Sequence, residues 1–287
     1  MSSHLHESVR ESLAWSDAER IAYLHRDRWV DYPRALETLA QLEALLATPP
    51  RTRMPCLLVY GDSGMGKTMI VEKLKRAHPS VYDRARRCMS LDVLMVQMPP
   101  KPSEARFYGQ ILKAIGAPHR AHERLATIEP VTLGLLHEIK PRMLVVDEVH
   151  NLLAGSAREQ RAALNLLKFL SNQLRCSIVV VGTRDALAAI QTDAQIASRF
   201  PEFELARWQP NEELRSFLAG FERQLPLRQP SGIADSREMV GTIISATGGI
   251  TGRISTLLTQ AADAAIRAKA ERITPASLRV AAARTQW

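Results

Sequence analysis

Between residues 56 and 205 the chain alternates short, continuous apolar runs with amphipathic segments. The runs are CLLVY (56–60), VLMVQM (93–98), MLVVD (143–147), SIVVV (177–181) and the weaker EFEL (202–205). Helix-like stretches at 67–77, 103–115, 131–140 and 158–174 separate them, the last with Ala163, Leu166, Leu167, Leu170 and Leu174 at helical spacing. Apolar strands separated by helices predict an α/β class with a parallel sheet covered on both faces. Upstream, DYPRALETLAQLEALLATPP predicts a helix. Pro33 sits in its first turn, Leu36, Leu39, Glu43 and Leu46 form a stripe that Leu42 and Leu45 widen, and Pro49-Pro50 ends it. From Trp208 onward strands disappear, and 210–224, 235–246, 252–270 and 274–284 read as helices. The third carries Ile254, Leu257, Leu258, Ala261 and Ala265 on one face, and the fourth opens with Thr274-Pro275, a cap followed by proline at the first helical position. The pattern divides the chain into an N-terminal helical segment (1–50), an α/β core (51–207) and a small helical lid (208–287).

Composition narrows this little. A chain of 287 residues accommodates one sizeable core and a small second domain, and 46% hydrophobic with 24% charged residues is ordinary for a globular protein. No apolar run approaches the roughly 18 residues of a membrane span, and the first residues, MSSHLHESVRES, lack a secretion signal's apolar stretch. Cys56, Cys88 and Cys176 are widely spaced within or beside hydrophobic stretches, so buried, reduced thiols and a cytoplasmic location are expected. The net charge of +8 is uneven: residues 1–50 sum to −3 and 201–250 to −2, whereas 51–100 reach +5 and 251–287 reach +4. The densest stretch, EKLKRAHPSVYDRARR (72–87), fits either a polyanion partner or a solvated helix face.

Candidate chemistry changes the picture more. GDSGMGKT (61–68) fits G-x-x-x-x-G-K-[ST], directly follows the strand CLLVY and precedes the helix TMIVEKLKRA. Backbone N–H groups of such a loop wrap phosphates at a helix N-terminus, so Gly61, Asp62, Ser63, Gly64, Met65, Gly66, Lys67, Thr68 and Met69 are candidates for ATP binding. Lys67 can reach the β- and γ-phosphates and the Thr68 hydroxyl can hold Mg²⁺. A second metal ligand is expected at the end of a neighbouring strand. MLVVDE supplies Asp147 for it, with Glu148 as the base that activates water.

The stretch VVDEVHNLL also matches the DExH box of a helicase, but such a motor needs a second lobe. Only 139 residues follow Glu148, and the last 80 are helical, so that reading fails on length and His150 becomes a packing or supporting residue. The arrangement fits the AAA+ plan, in which core and lid enclose a nucleotide and an adjacent subunit completes the site. GTRDAL places Thr183 at the polar sensor position, where asparagine is commoner. SRF (198–200) places Arg199 as an arginine finger, with Arg184 as competitor, and GGITGRISTLL places Arg253 as a second sensor.

These motifs and the stretches between them, notably RWVDYP and MPP…FYGQIL…IGAP, resemble the TniB family, AAA+ ATPases of bacterial DDE transposons related to TnsC and MuB. The resemblance runs over nearly the whole chain. It implies a regulator of transposition that assembles with ATP on double-stranded DNA as a ring or filament, recruits a DDE transposase (TniA-like), works with a TniQ-like targeting protein and is released by hydrolysis. The family's contacts with DNA are largely to its backbone. Lys101 and Arg106 in MPPKPSEARFYG, and Arg120 beyond it, are candidates for them, as is the cluster Arg84, Arg86 and Arg87; a solvated loop is the competing account. A helicase loader or replication-initiator-like ATPase, and a signalling ATPase without DNA, remain as alternatives.

Overall fold

The computed structural model describes residues 4–84, 88–120 and 123–285. In chain order the elements are α1 (Glu7–Arg10), a 3-10 turn (Glu11–Ala14), α2 (Asp17–Leu24), α3 (Pro33–Ala47), β1 (Cys56–Tyr60), α4 (Lys67–Ala77), β2 (Val81–Asp83), β3 (Cys88–Ser90), β4 (Val93–Gln97), α5 (Glu104–Ala114), α6 (Leu125–Ile139) and β5 (Met143–Asp147). There follow a second 3-10 turn (Val149–Ala154), α7 (Ala157–Leu174), β6 (Ser177–Gly182), α8 (Arg184–Gln191), α9 (Ala194–Ala197), β7 (Glu202–Glu204), α10 (Glu212–Glu222), α11 (Arg237–Thr247), α12 (Thr251–Arg267) and α13 (Pro275–Arg284). The chain divides into two compact units. A sheet unit comprises residues 37–62 and 67–205; a helical unit comprises 1–36, the short loop 63–66 and 206–287.

In the sheet unit five strands lie in the order β4-β5-β6-β1-β7, each pair parallel, as the α/β reading predicts. β1, β5 and β6 are buried along their whole length, which is why their sequences are unbroken apolar runs rather than alternating ones. Their core includes Leu58, Leu94, Val146 and Val180 from the strands and Tyr108, Ile111, Leu167 and Leu170 from the helices that cover them. Parallel strands put every carboxyl end on one edge, so the loops after β1, β5 and β6 share that edge.

Three details differ from the pattern reading. The buried face of α3 is Ala35, Thr38, Leu42 and Leu46, while Leu36 is 47% exposed: the face turns with the small residues Ala35 and Thr38, not with the leucine count. Helix α6 starts at Leu125, six residues early, because Ile128 and Thr132 anchor its first turns and Pro130 is tolerated inside it. β2, inside the charged stretch, pairs antiparallel with β3 just after it, with Val81 and Tyr82 exposed. Arg84 on this hairpin is exposed, and Arg86 and Arg87 lie outside the described residues.

The helical unit has its own core. Tyr32 meets Trp208 and Phe217 edge-on, at 4.9 and 5.7 Å between centroids, and Trp208 stacks on Phe217 at 4.8 Å. Thus RWVDYP packs on α10; Gln224 also donates to the Trp29 carbonyl at 2.6 Å, and the Arg28 guanidinium lies 5.1 Å from the Phe221 ring. Burial pushes the Tyr32 hydroxyl up to about 12. No helix of the described residues is long and apolar enough to cross a membrane.

Candidate functional site

The loop between β1 and α4 turns on two glycines in left-handed backbone, Gly64 at φ 80° and Gly66 at φ 87°, which side-chain-bearing residues resist. The Gly61 N–H donates to the Gly182 carbonyl at 3.3 Å, joining the end of β1 to the end of β6. Met65 is 2% exposed, so only its backbone is available to a ligand, whereas Met69 is 41% exposed. Within the helical unit the loop's tip is held from outside: the Gly252 N–H, one residue before Arg253, donates to the Gly64 carbonyl at 2.8 Å. Arg253 therefore enters α12 at the turn that grips the loop.

Lys67 is buried, and its Nζ donates to the Gly61 and Asp62 carbonyls at 2.8 Å each. Burial pushes this ammonium down, and Asp147, Glu148 and Asp62 oppose that by attraction. An ammonium that spends its donors on loop carbonyls holds the loop in shape and is placed to exchange them for phosphate oxygens.

Thr68 Oγ1 donates to Asp147 Oδ2 at 2.7 Å, and the other oxygen, Oδ1, accepts from the Glu148 N–H at 2.8 Å. The expectation that the acidic residue ends a neighbouring strand is corrected here: β6 neighbours β1, and β5 lies one strand further. Thr68 on α4 nevertheless reaches Asp147. Two hard oxygen donors thus meet at the strand edge, as a magnesium ion bound by few protein ligands plus phosphates requires. Among the described residues there is no cluster of three or more His, Cys, Asp or Glu for a metal, and this kind of site needs none.

Glu148 follows in left-handed backbone, φ 57° and ψ 34°, and caps the second 3-10 turn. Its Oε2 lies 3.1 Å from His150 Nε2. His150 is therefore in contact with the candidate base, a pairing the sequence reading did not contain. Thr183 caps α8 without using its side chain, and its Oγ1 is buried with no hydrogen-bond partner among the described residues. A buried orphan hydroxyl at a strand's carboxyl end is a place for a ligand oxygen.

The arginines divide. Arg184 Nε lies 3.6 Å from Asp62 and its NH2 pairs with Glu204, so it is neutralised within its own unit. Arg199 instead bonds Asn172 on α7 at 3.1 Å and lines an open cleft of about 600 Å³ with Arg51, Arg53 and Ser198. Arg51 and Arg53, which the sequence reading did not single out, lie in the linker between α3 and β1. A second cavity, about 420 Å³, lies between the segment after β4 and the end of α5, lined by Arg106, Lys113, His119 and Arg120 among others. It unites Arg106 and Arg120 of the candidate contacts to DNA and adds Lys113 and His119, which helix α5 and the loop after it carry to the same rim. Lys101 is not on it; it stands near the start of α7, where Glu159's carboxyl is held down chiefly by Ser156 and to a lesser degree by the charge of Lys101.

Solved structures of the same fold include two from Aeropyrum pernix. The ORC1 protein in complex with DNA is 19% identical with a TM-score of 0.67, over 92% of this chain and 68% of that one. The ORC2 protein, solved as ADPNP and ADP complexes, is 16% identical with a TM-score of 0.63, over 91% and 71%. The RuvB Holliday junction branch migration motor of Thermotoga maritima is 14% identical with a TM-score of 0.53, over 90% and 72%. No curated protein matches the sequence. The family model "Bacterial TniB protein" matches residues 20–210, from the α2 helix through the P-loop, both acidic residues and the last strand, and the chain belongs to the TniB family.

Proposed function

We propose that this chain is an ATP-dependent regulator of DNA transposition. It assembles on double-stranded target DNA as an oligomeric ring or filament, recruits a DDE transposase of the TniA type, works with a TniQ-like targeting partner and is released by ATP hydrolysis. The observation that carries the ATPase half is the Thr68–Asp147 hydrogen bond, which joins the two ion-holding oxygens beside a buried lysine. Membership of the TniB family supports the transposition half.

In this reading the loop amides of 61–66 and Lys67 hold the phosphates. Thr68 and Asp147 hold Mg²⁺, which when bound neutralises charge on the β- and γ-phosphates. Glu148 takes a proton from the attacking water, and the unpartnered Thr183 hydroxyl orients that water or a γ-phosphate oxygen. Arg253 acts as the second sensor at the turn that grips Gly64. Arg199 reaches into the site of an adjacent copy; its cleft with Arg51 and Arg53 gives that copy's anionic nucleotide a basic face. Arg106 and Arg120 contact the DNA backbone, with Lys101 as an outlying contact. Interface strength then depends on the γ-phosphate, and hydrolysis is a timer on the assembly.

Negative-stain imaging with duplex DNA and a slowly hydrolysed ATP analogue tests this. Rings or filaments are expected, and their absence at all protein concentrations overturns the reading. Glu148→Gln should bind ATP and lengthen the assemblies. Arg199→Ala should lose turnover yet bind nucleotide, and mixing it with Lys67→Ala should restore part of the activity. The likeness to ORC proteins favours a replication-initiator-like ATPase as the second reading; stimulation of a DDE transposase by the assembled protein decides against it.

A further inference from the structure

His150 stands out because both of its ring nitrogens are accounted for in an unusual way. Nε2 lies 3.1 Å from Glu148 Oε2, while Nδ1 is buried with no hydrogen-bond partner among the described residues. Glu148 itself is held in left-handed backbone without being glycine, a strained conformation that persists where the surroundings over-determine it. The turn that carries His150 packs against the end of β6: a side-chain carbon built on Gly182 would lie 3.3 Å from the His150 backbone nitrogen. The next residue, Thr183, holds the other buried orphan atom of this edge. Three features therefore lie at the carboxyl ends of β5 and β6: a strained carboxylate residue, a histidine within 3.1 Å of one of its oxygens, and, one residue after Gly182, a buried hydroxyl without a partner among the described residues.

We propose that His150 is a positioning residue for Glu148, holding Oε2 so that the second oxygen, Oε1, faces the attacking water. A glutamate side chain has several rotamers, and with 45% of its side chain exposed Glu148 would otherwise sample them in solvent. A ring nitrogen held 3.1 Å from Oε2 favours one rotamer of the carboxylate and leaves the other oxygen's lone pairs for the proton it must accept. The histidine touches neither phosphate nor ion in this account; it acts through Glu148 alone. The proposal rests on the reading of Glu148 as the base.

The test is steady-state ATP hydrolysis and nucleotide affinity of the full chain with DNA, for His150→Ala, His150→Gln, Glu148→Gln and the double variant His150→Ala/Glu148→Gln. A positioned general base contributes roughly 10²–10⁴-fold, so loss of the residue that holds it costs part of that, about 10-fold or more. His150→Ala should lose that factor in kcat with KM and nucleotide Kd unchanged. His150→Gln, whose amide can donate to the same oxygen, should recover a large part of it. Adding His150→Ala to Glu148→Gln should cost nothing further. Wild-type or raised turnover in His150→Ala, an equal further loss in the double variant, or a loss of nucleotide affinity matching the loss of kcat would each overturn the proposal. Full turnover in Glu148→Gln would instead sink the underlying reading of the base, so the two failures are distinguishable.

Discussion

At the scale of single residues, Asp147 is the most constrained group of the candidate site. It is 2% exposed, and its two oxygens accept from Thr68 and from the Glu148 N–H. Removing the Thr68 hydroxyl leaves a buried carboxylate oxygen without a donor, which costs about 1–3 kcal/mol or more. Thr68→Ala should therefore lower the thermal midpoint without nucleotide and, under the proposed chemistry, cut Mg²⁺-dependent turnover by about 100-fold or more. Thr68→Ser should keep both. Calorimetry alongside phosphate release checks the pair, and a Thr68→Ala variant as stable and active as wild type would refute the assignment. Lys67, Thr68 and Asp147 were legible in the sequence because a phosphate loop is a local motif and a strand ending in an acid is a local pattern. The Glu148–His150 contact was not, because it depends on the left-handed φ of Glu148, which no pattern of apolar and polar residues states.

At the scale of elements, the strands and the helices after Trp208 were legible because burial on both faces writes continuous apolar runs and burial on one face writes a helical stripe. The turn between α11 and α12 shows what that pattern leaves out. Gly248 and Gly249 are both left-handed, at φ 61° and 70°, and the Trp208 N–H donates to the Gly249 carbonyl at 2.9 Å. A side-chain carbon on Gly249 would meet the Trp208 carbonyl oxygen at 2.4 Å, so both backbone conformation and space exclude one. Trp208, which stacks on Phe217, is held at its backbone by that contact and at its indole N–H by Thr251 Oγ1 at 2.9 Å. Gly249→Ala should cost several kcal/mol, on the order of the strain and clash together, and should disturb the grip of Gly252 on Gly64 further along. Near-ultraviolet circular dichroism reports the tryptophan and a melt reports the stability; an unchanged near-ultraviolet signal would contradict this role. The hairpin of β2 and β3 was hidden for the opposite reason: three-residue strands with exposed Val81 and Tyr82 bury too little to leave a periodic signal.

At the scale of the whole molecule, the first residues of the chain group with the last, and a buried ion pair ties them. Arg20, with a fully buried side chain, donates to both carboxylate oxygens of Glu271 at 2.8 and 2.7 Å across 251 residues of sequence. It also donates to the Pro226 carbonyl and to Asp17, and Arg228 approaches Glu271 from outside. No local pattern could announce this, since both residues lie in segments that read as ordinary charged helix ends. The Arg20 guanidinium holds the Glu271 carboxyl below its usual value of 4.5, chiefly by direct hydrogen bonds and against the effect of burial. The folded value being the lower one, the unfolded chain binds the proton first as pH falls. The pair's contribution is thus complete above pH 4.5 and lost as pH drops through the depressed folded value. Glu271→Gln leaves Arg20 buried without its charge partner and should cost about 3–5 kcal/mol at pH 7. Because protonation of Glu271 removes the same charge in the wild type, the stability gap between the two proteins should narrow steadily as pH is lowered below 4.5. Urea unfolding of both proteins at a series of pH values measures that gap, and one that stays constant down to pH 3 would show that the pair titrates with neither protein's stability.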